Sequence, residues 1–121
     1  MIHARFDPKA APVAAVDFLE KQTSTQPVFC PDSWGGYLIY RLFPQRQVVF
    51  DDRHDLYGSA RVREFLILLQ GETGWRRVLD DWQIRTVLLP SDSTLANLLL
   101  QLPQEWRVTY QDSVAVVLEK R

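Results

Sequence analysis

Three groups of polar residues each follow a short apolar run in this chain. Cys30, Asp32, Ser33 and Trp34 follow Pro27–Phe29, Asp51 to Asp55 follow Gln47–Phe50, and Ser91, Asp92 and Ser93 follow Thr86–Leu89. The second group is the densest: Asp51, Asp52 and Asp55 with His54 put three carboxylates and an imidazole within five positions. Such a cluster could hold Mg²⁺ or Mn²⁺, which favour oxygen ligands. The plainer reading is that Asp51 pairs with Arg53 and shapes the loop. No second carboxylate pair completes a metal shell, and Asp-Asp-Arg is not the Asp-x-Asp of nucleotide-sugar enzymes, so no metal is expected. Cys30 and His54 could form a nucleophile and its base. Cys30 closes an apolar run, however, and reads as a small buried side chain. No catalytic residue is assigned. Neither GxGxxG nor GxxxxGK[ST] occurs, so neither a nucleotide nor any other cofactor is expected. Gly35-Gly36 reads instead as a place where a helix start packs closely on a sheet.

The elements that position these groups follow from apolar periodicity. Pro12, Ala15, Val16 and Leu19 give a helix over Pro12–Gln22, entered through proline. Pro27–Cys30 is a buried strand, and Trp34 to Pro44 a short helix. Gln47–Phe50 is a second strand. Ser59 is the expected N-cap of a helix carrying Val62, Phe65, Leu66 and Leu69, stopped by Gly71. Thr73 caps a helix with the stripe Trp75, Val78, Leu79 and Trp82. Thr86–Leu89 is a third strand. Ser91 or Ser93 caps a helix with the stripe Leu95, Leu98, Leu99 and Leu102. Trp106, Val108 and Tyr110 alternate with polar residues, which marks a half-exposed strand. Val114–Leu118 is apolar throughout, which marks one buried on both faces. Asp112-Ser113 is the turn between them.

Strands alternating with helices imply βαβ crossovers and a sheet covered on both faces. The fold expected is a three-layer, Rossmann-like α/β domain with a mixed five-stranded sheet of order 2-1-3-5-4, ending in an antiparallel hairpin. The alternating strand takes the edge because only an edge strand can keep one face wet. Ligands of such sheets sit beyond the carboxyl ends of the strands, where all three polar groups fall.

Composition narrows the function. The chain has 121 residues, a formal charge of −1, 46% apolar, 24% charged and 12% aromatic residues, and one cysteine. This is one globular domain over 1–121, with 1–10 as a linker or junction. A nucleic-acid partner is not expected, because there is no basic excess. A lone cysteine forms no internal disulfide. No apolar run approaches the roughly 20 residues of a membrane span, and residues 1–6 lack the apolar region of a signal peptide.

The order of motifs carries a resemblance. A proline-led Ala15-Val16-Asp17-Phe18-Leu19 helix is followed by a strand and then Asp32-Ser33-Trp34-Gly35-Gly36-Tyr37-Leu38. A second strand ends in Asp51-x-Arg53-x-Asp55-x-Tyr57, and a hairpin with an aspartate turn closes the chain. Nearly the whole chain thus resembles the C-terminal domains that follow the last membrane helix in bacterial polytopic proteins of the GT-C glycosyltransferase-like type. The Trp34 segment is also distantly similar to the Trp-Trp-Asp-Tyr-Gly signature of oligosaccharyltransferase catalytic subunits. Ser33 stands in place of a tryptophan there and Gly35 in place of the aspartate, so peptide recognition is not carried over.

The resemblance implies a periplasmic, membrane-attached domain that is itself non-catalytic. The catalytic acids of the group lie between membrane helices. Its partners would be the membrane-embedded part of the parent protein and a peptide or glycan acceptor. The candidate contact residues are Trp34, Tyr37, Asp51, Arg53, Asp55 and Tyr57, an aromatic and charged rim expected to be partly exposed. The alternative is a free-standing α/β enzyme or metal-binding domain using the Asp51–Asp55 crevice.

Overall fold

The computed structural model describes residues 11–49 and 54–121, of which residues 54–59 through their backbone alone. Ten elements run in the order α1 (Val13–Glu20), β1 (Val28–Phe29), α2 (Asp32–Leu42), β2 (Val48–Val49), α3 (His54–Gln70), α4 (Trp75–Asp81), β3 (Thr86–Pro90), α5 (Thr94–Leu100), β4 (Trp106–Gln111) and β5 (Ala115–Lys120). The strands form one sheet of order β2-β1-β3-β5-β4. β1 pairs parallel with β2 and β3, while β5 runs antiparallel to β3 and β4. This is the expected α/β fold and strand order, with α1 and α2 on one face and α3, α4 and α5 on the other.

The pleat sorts the core into two halves, because successive side chains of a strand point to opposite faces. Phe29, Val87, Leu89, Val116 and Leu118 pack with Phe65, Leu68, Val78, Leu95 and Leu99 on the α3–α5 side. Val28, Cys30, Leu88, Ala115 and Val117 pack with Val16, Leu19, Trp34, Leu38 and Leu42 on the α1–α2 side. The central strands are buried on both faces, hence their unbroken apolar runs.

The edge strand departs from simple alternation. Val108 pairs with Leu118 but Tyr110 pairs with Val117, so Thr109 is an extra residue in the ladder. A bulge of this kind turns all later side chains to the other face. Trp106 therefore packs on the α3–α5 side, whereas Tyr110 packs on the α1–α2 side and stacks on Phe18 with ring centroids 5.4 Å apart.

Helix ends show where side-chain chemistry does and does not set a boundary. α3 begins at His54, so Ser59 lies inside it rather than capping it. The expected loop over Asp51–Asp55 thus already includes a helix start. At its other end Gly71 has φ +66°. The Gly71 amide donates to the Leu68 carbonyl and that of Glu72 to Ile67, at 3.2 and 3.0 Å. That pair of bonds is the Schellman closure, which needs the left-handed conformation glycine adopts freely. Gly74 (φ +94°), not Thr73, precedes α4. Ser93 caps α5 by accepting from the Ala96 amide at 3.2 Å. α1 is shorter than expected, with Pro12 at its N-cap and Lys21 at its C-cap.

Candidate functional site

Parallel β1, β2 and β3 bring their carboxyl ends to one edge, where the three polar groups were expected to meet. The neighbouring positions of β1 and β2 are confirmed by the pairing of Phe29 with Val49. Asp51, Asp52 and Arg53 lie outside the described residues. His54, Asp55 and Tyr57 fall in the first turns of α3, and their side chains also lie outside them.

Three of the described side chains at this edge, Cys30, Ser91 and Ser93, have structural roles. Cys30 is fully buried, and burial, with Asp32 adding to it, pushes its thiol far above the ordinary range. A thiol held protonated is no nucleophile, so its packing reading stands. Ser91 Oγ donates to the Ser113 carbonyl at 2.9 Å and its amide to that of Val114 at 3.1 Å, which ties β3 to the hairpin turn. Ser93 is taken by its cap. Among the described residues no three His, Cys, Asp or Glu side chains come together to hold a metal ion.

The expectation of an exposed aromatic rim is corrected at Trp34. Its side chain is only 9% exposed and packs with Val28, Leu38 and Leu42. The reason is helical phase: Trp34, Leu38 and Leu42 are spaced by four in α2, so the indole shares the sheet-facing stripe. Tyr37 is half-buried at the margin of the same cluster. Its hydroxyl accepts from Arg41 Nη1 at 2.6 Å, and the guanidinium lies 5.6 Å from its ring centroid. Arg41 also bonds Asp17 at 2.5 Å and Glu20 at 2.9 Å, so this aromatic serves to seat an ion cluster joining α1 to α2. The glycine pair is corrected likewise: Gly35 is buried, but a side chain at Gly36 would enter open space.

What sequence reasoning missed is the opposite face of α2. Ile39, Tyr40 and Phe43 are exposed, Tyr40 by 79% and Phe43 by 58%. The signal was present in the sequence. Once Trp34, Leu38 and Leu42 are assigned to the core, residues 39 and 40 turn away from it, while Phe43 follows the helix in extended backbone.

The hairpin turn is the best-satisfied acidic site described. Asp112 accepts from the Val114 and Ala115 amides at 2.7 and 2.8 Å and from the Tyr110 hydroxyl at 2.5 Å. Burial pulls its carboxyl pKa up, but the three donors outweigh this and hold it below the usual range. The same bond, aided by burial, pushes Tyr110 up to about 12.

No protein-family model matches the chain, and no curated protein matches it in sequence. Among solved structures it is similar to the C-terminal globular domain of an oligosaccharyltransferase, AglB-S2, from Archaeoglobus fulgidus. The likeness covers 90% of this chain and 96% of that one, with a TM-score of 0.61 and 10% sequence identity. At this identity the two chains share a fold.

Proposed function

We propose that this chain is the non-catalytic, extracytoplasmic domain of a bacterial membrane protein related to lipid-linked sugar transfer, and that it holds the membrane-embedded part or the acceptor in place. The observation that carries this reading is the shared fold, which spans nearly all of both chains and is found in a domain of an oligosaccharyltransferase. The order of the Ala15–Leu19, Asp32–Leu38 and Asp51–Tyr57 motifs points the same way. The contact surface is assigned to the outer face of α2, with Asp51, Arg53, Asp55 and Tyr57 as further candidates from the sequence alone. Exposed aromatics beside charged groups are the usual anchors of protein contacts. Trp34 and Tyr37 support that surface from beneath.

An antibody raised against the 121-residue chain tests the proposal in the source cells. The expected result is a band well above 14.1 kDa in the membrane fraction, released by detergent and degraded by protease added to spheroplasts. A soluble band of 14 kDa, or one protected in intact spheroplasts, overturns it.

A further inference from the structure

A cleft of about 710 Å³ opens at the amino edge of the sheet, opposite the edge where the polar groups gather. The connection from α1 to β1 and the end of α2 line it. At its floor lies Arg46, 4% exposed. Its Nε donates to the Gln26 carbonyl at 2.9 Å, Nη1 to Gln22 Oε1 at 2.9 Å, and Nη2 to Ser24 Oγ at 3.4 Å. A guanidinium has five N–H donors, so two are unmatched among the described residues and a third makes a long bond. All three acceptors are neutral. The acid whose charge acts on Arg46, Glu119, is linked to it by hydrogen bonds through Gln22, whose Nε2 donates to Glu119 Oε2 at 2.7 Å. Glu119 also accepts from Thr109 Oγ1 at 3.2 Å and lies 4.0 Å from Arg107.

The neighbouring arginine is the contrast. Arg41 lines the same cleft, is less buried, and carries two carboxylate partners. Buried charges are normally paired, because removing a cation from water is costly. Among the described residues the less buried guanidinium has direct carboxylate partners and the more buried one does not. Lys21 stands exposed on the rim and adds a further cation, while Glu20, the acid in the lining, is engaged by Arg41.

We propose that this cleft binds a small oxyanion, a phosphate or carboxylate group, on the Arg46 guanidinium with Lys21 at its mouth. Planar paired donors suit both groups, and the Ser24 hydroxyl adds a neutral contact. Burial already lowers the Arg46 pKa, with Glu119 opposing it only in part. An anion at this position supplies the missing counter-charge.

The test is a titration of the ¹⁵N-labelled 121-residue chain with sodium phosphate and, separately, sodium acetate, against sodium chloride at equal ionic strength. The readouts are the Arg46 Nε–H signal and the amides of residues 21–25 and 45–47. A saturable shift confined to these groups is expected, with Kd on the order of 1 mM. Saturation by phosphate alone identifies a phosphoryl ligand, by acetate alone a carboxylate, and by both an oxyanion site without preference. Lys21→Glu reverses an exposed charge without touching the core and should weaken binding about threefold or more. Arg46→Gln should weaken it at least about tenfold. If Arg46→Gln does not fold, Lys21→Glu decides alone. No saturable shift with either salt, shifts elsewhere, or affinity unchanged in Lys21→Glu overturns the site.

Discussion

Trp34 shows how one residue changes role with helical phase. Between polar neighbours and two glycines it reads as a surface aromatic. In α2 it joins Leu38 and Leu42 on the buried stripe. Trp34→Ala should therefore cost about 3–5 kcal/mol, as large core truncations do. A urea melt within 1 kcal/mol of the parent chain, on the order of an exposed substitution, would return the indole to the surface. Asp112 allows a prediction with a sign in pH. Its folded pKa is depressed, so its contribution is present in full above the unfolded value of about 3.9 and is lost as the pH falls through the lower folded value. Asp112→Ala should destabilise by about 1–3 kcal/mol at pH 7, since three donors lose a charged acceptor. Urea melts of both chains at pH 7 and pH 3 should show that deficit narrowing in acid. A deficit that stays constant would mean the carboxylate charge contributes nothing.

At the scale of elements, α5 gives the sharpest contrast. Leu95 and Leu99 are fully buried, while Leu100 is 37% exposed. Leu99→Ala should cost about 2–5 kcal/mol, and Leu100→Ala well under half of that. Equal shifts in the denaturant midpoint would mean that the helix is rotated about its axis. The hairpin strands teach a different lesson. Counting by twos placed Trp106, Val108 and Tyr110 on one face, but the extra residue at Thr109 sends Tyr110 to the other. Its ring there meets Phe18 of the first helix. The bulge is thus what lets the edge strand serve both core halves.

For the molecule as a whole, the sheet has two ends with different equipment. The carboxyl edge has Ser91, Ser93 and its cysteine committed to packing, a cap and a turn. The amino edge has a cleft with a buried guanidinium whose hydrogen-bond partners among the described residues are all neutral. The exposed residues at the end of α2 belong to neither edge and carry the contact proposed above. Tyr40→Ala and Phe43→Ala should each leave the melting of the 121-residue chain within about 0.5 kcal/mol, because both side chains stand in solvent. The same changes should impair glycan transfer by the full-length protein. Thermal melts beside the full-length assay check this, and an unimpaired double variant would remove α2 from the contact surface.

Some of this molecule was legible in residues alone. The last two places of the strand order 2-1-3-5-4 followed from burial: Val114–Leu118 is apolar on both faces and Trp106–Gln111 is not, so the second takes the edge. The first three followed the parallel Rossmann-like pattern. The cap at Ser93, the stop at Gly71 and the stripe of α5 were legible because each rests on contacts within one or two turns of chain. Other features needed the tertiary structure. The face presented by Trp34 depends on which side of α2 packs on the sheet, and that packing joins Trp34 to Val28, Leu88 and Val117, residues distant in sequence. Tyr110 changes sides through one unpaired residue that no periodicity announces. The Arg46 cleft joins the end of α1, the chain from α1 to β1 and the end of α2, segments about twenty residues apart in sequence, and the neutral partners of this buried cation are set only once the chain is folded.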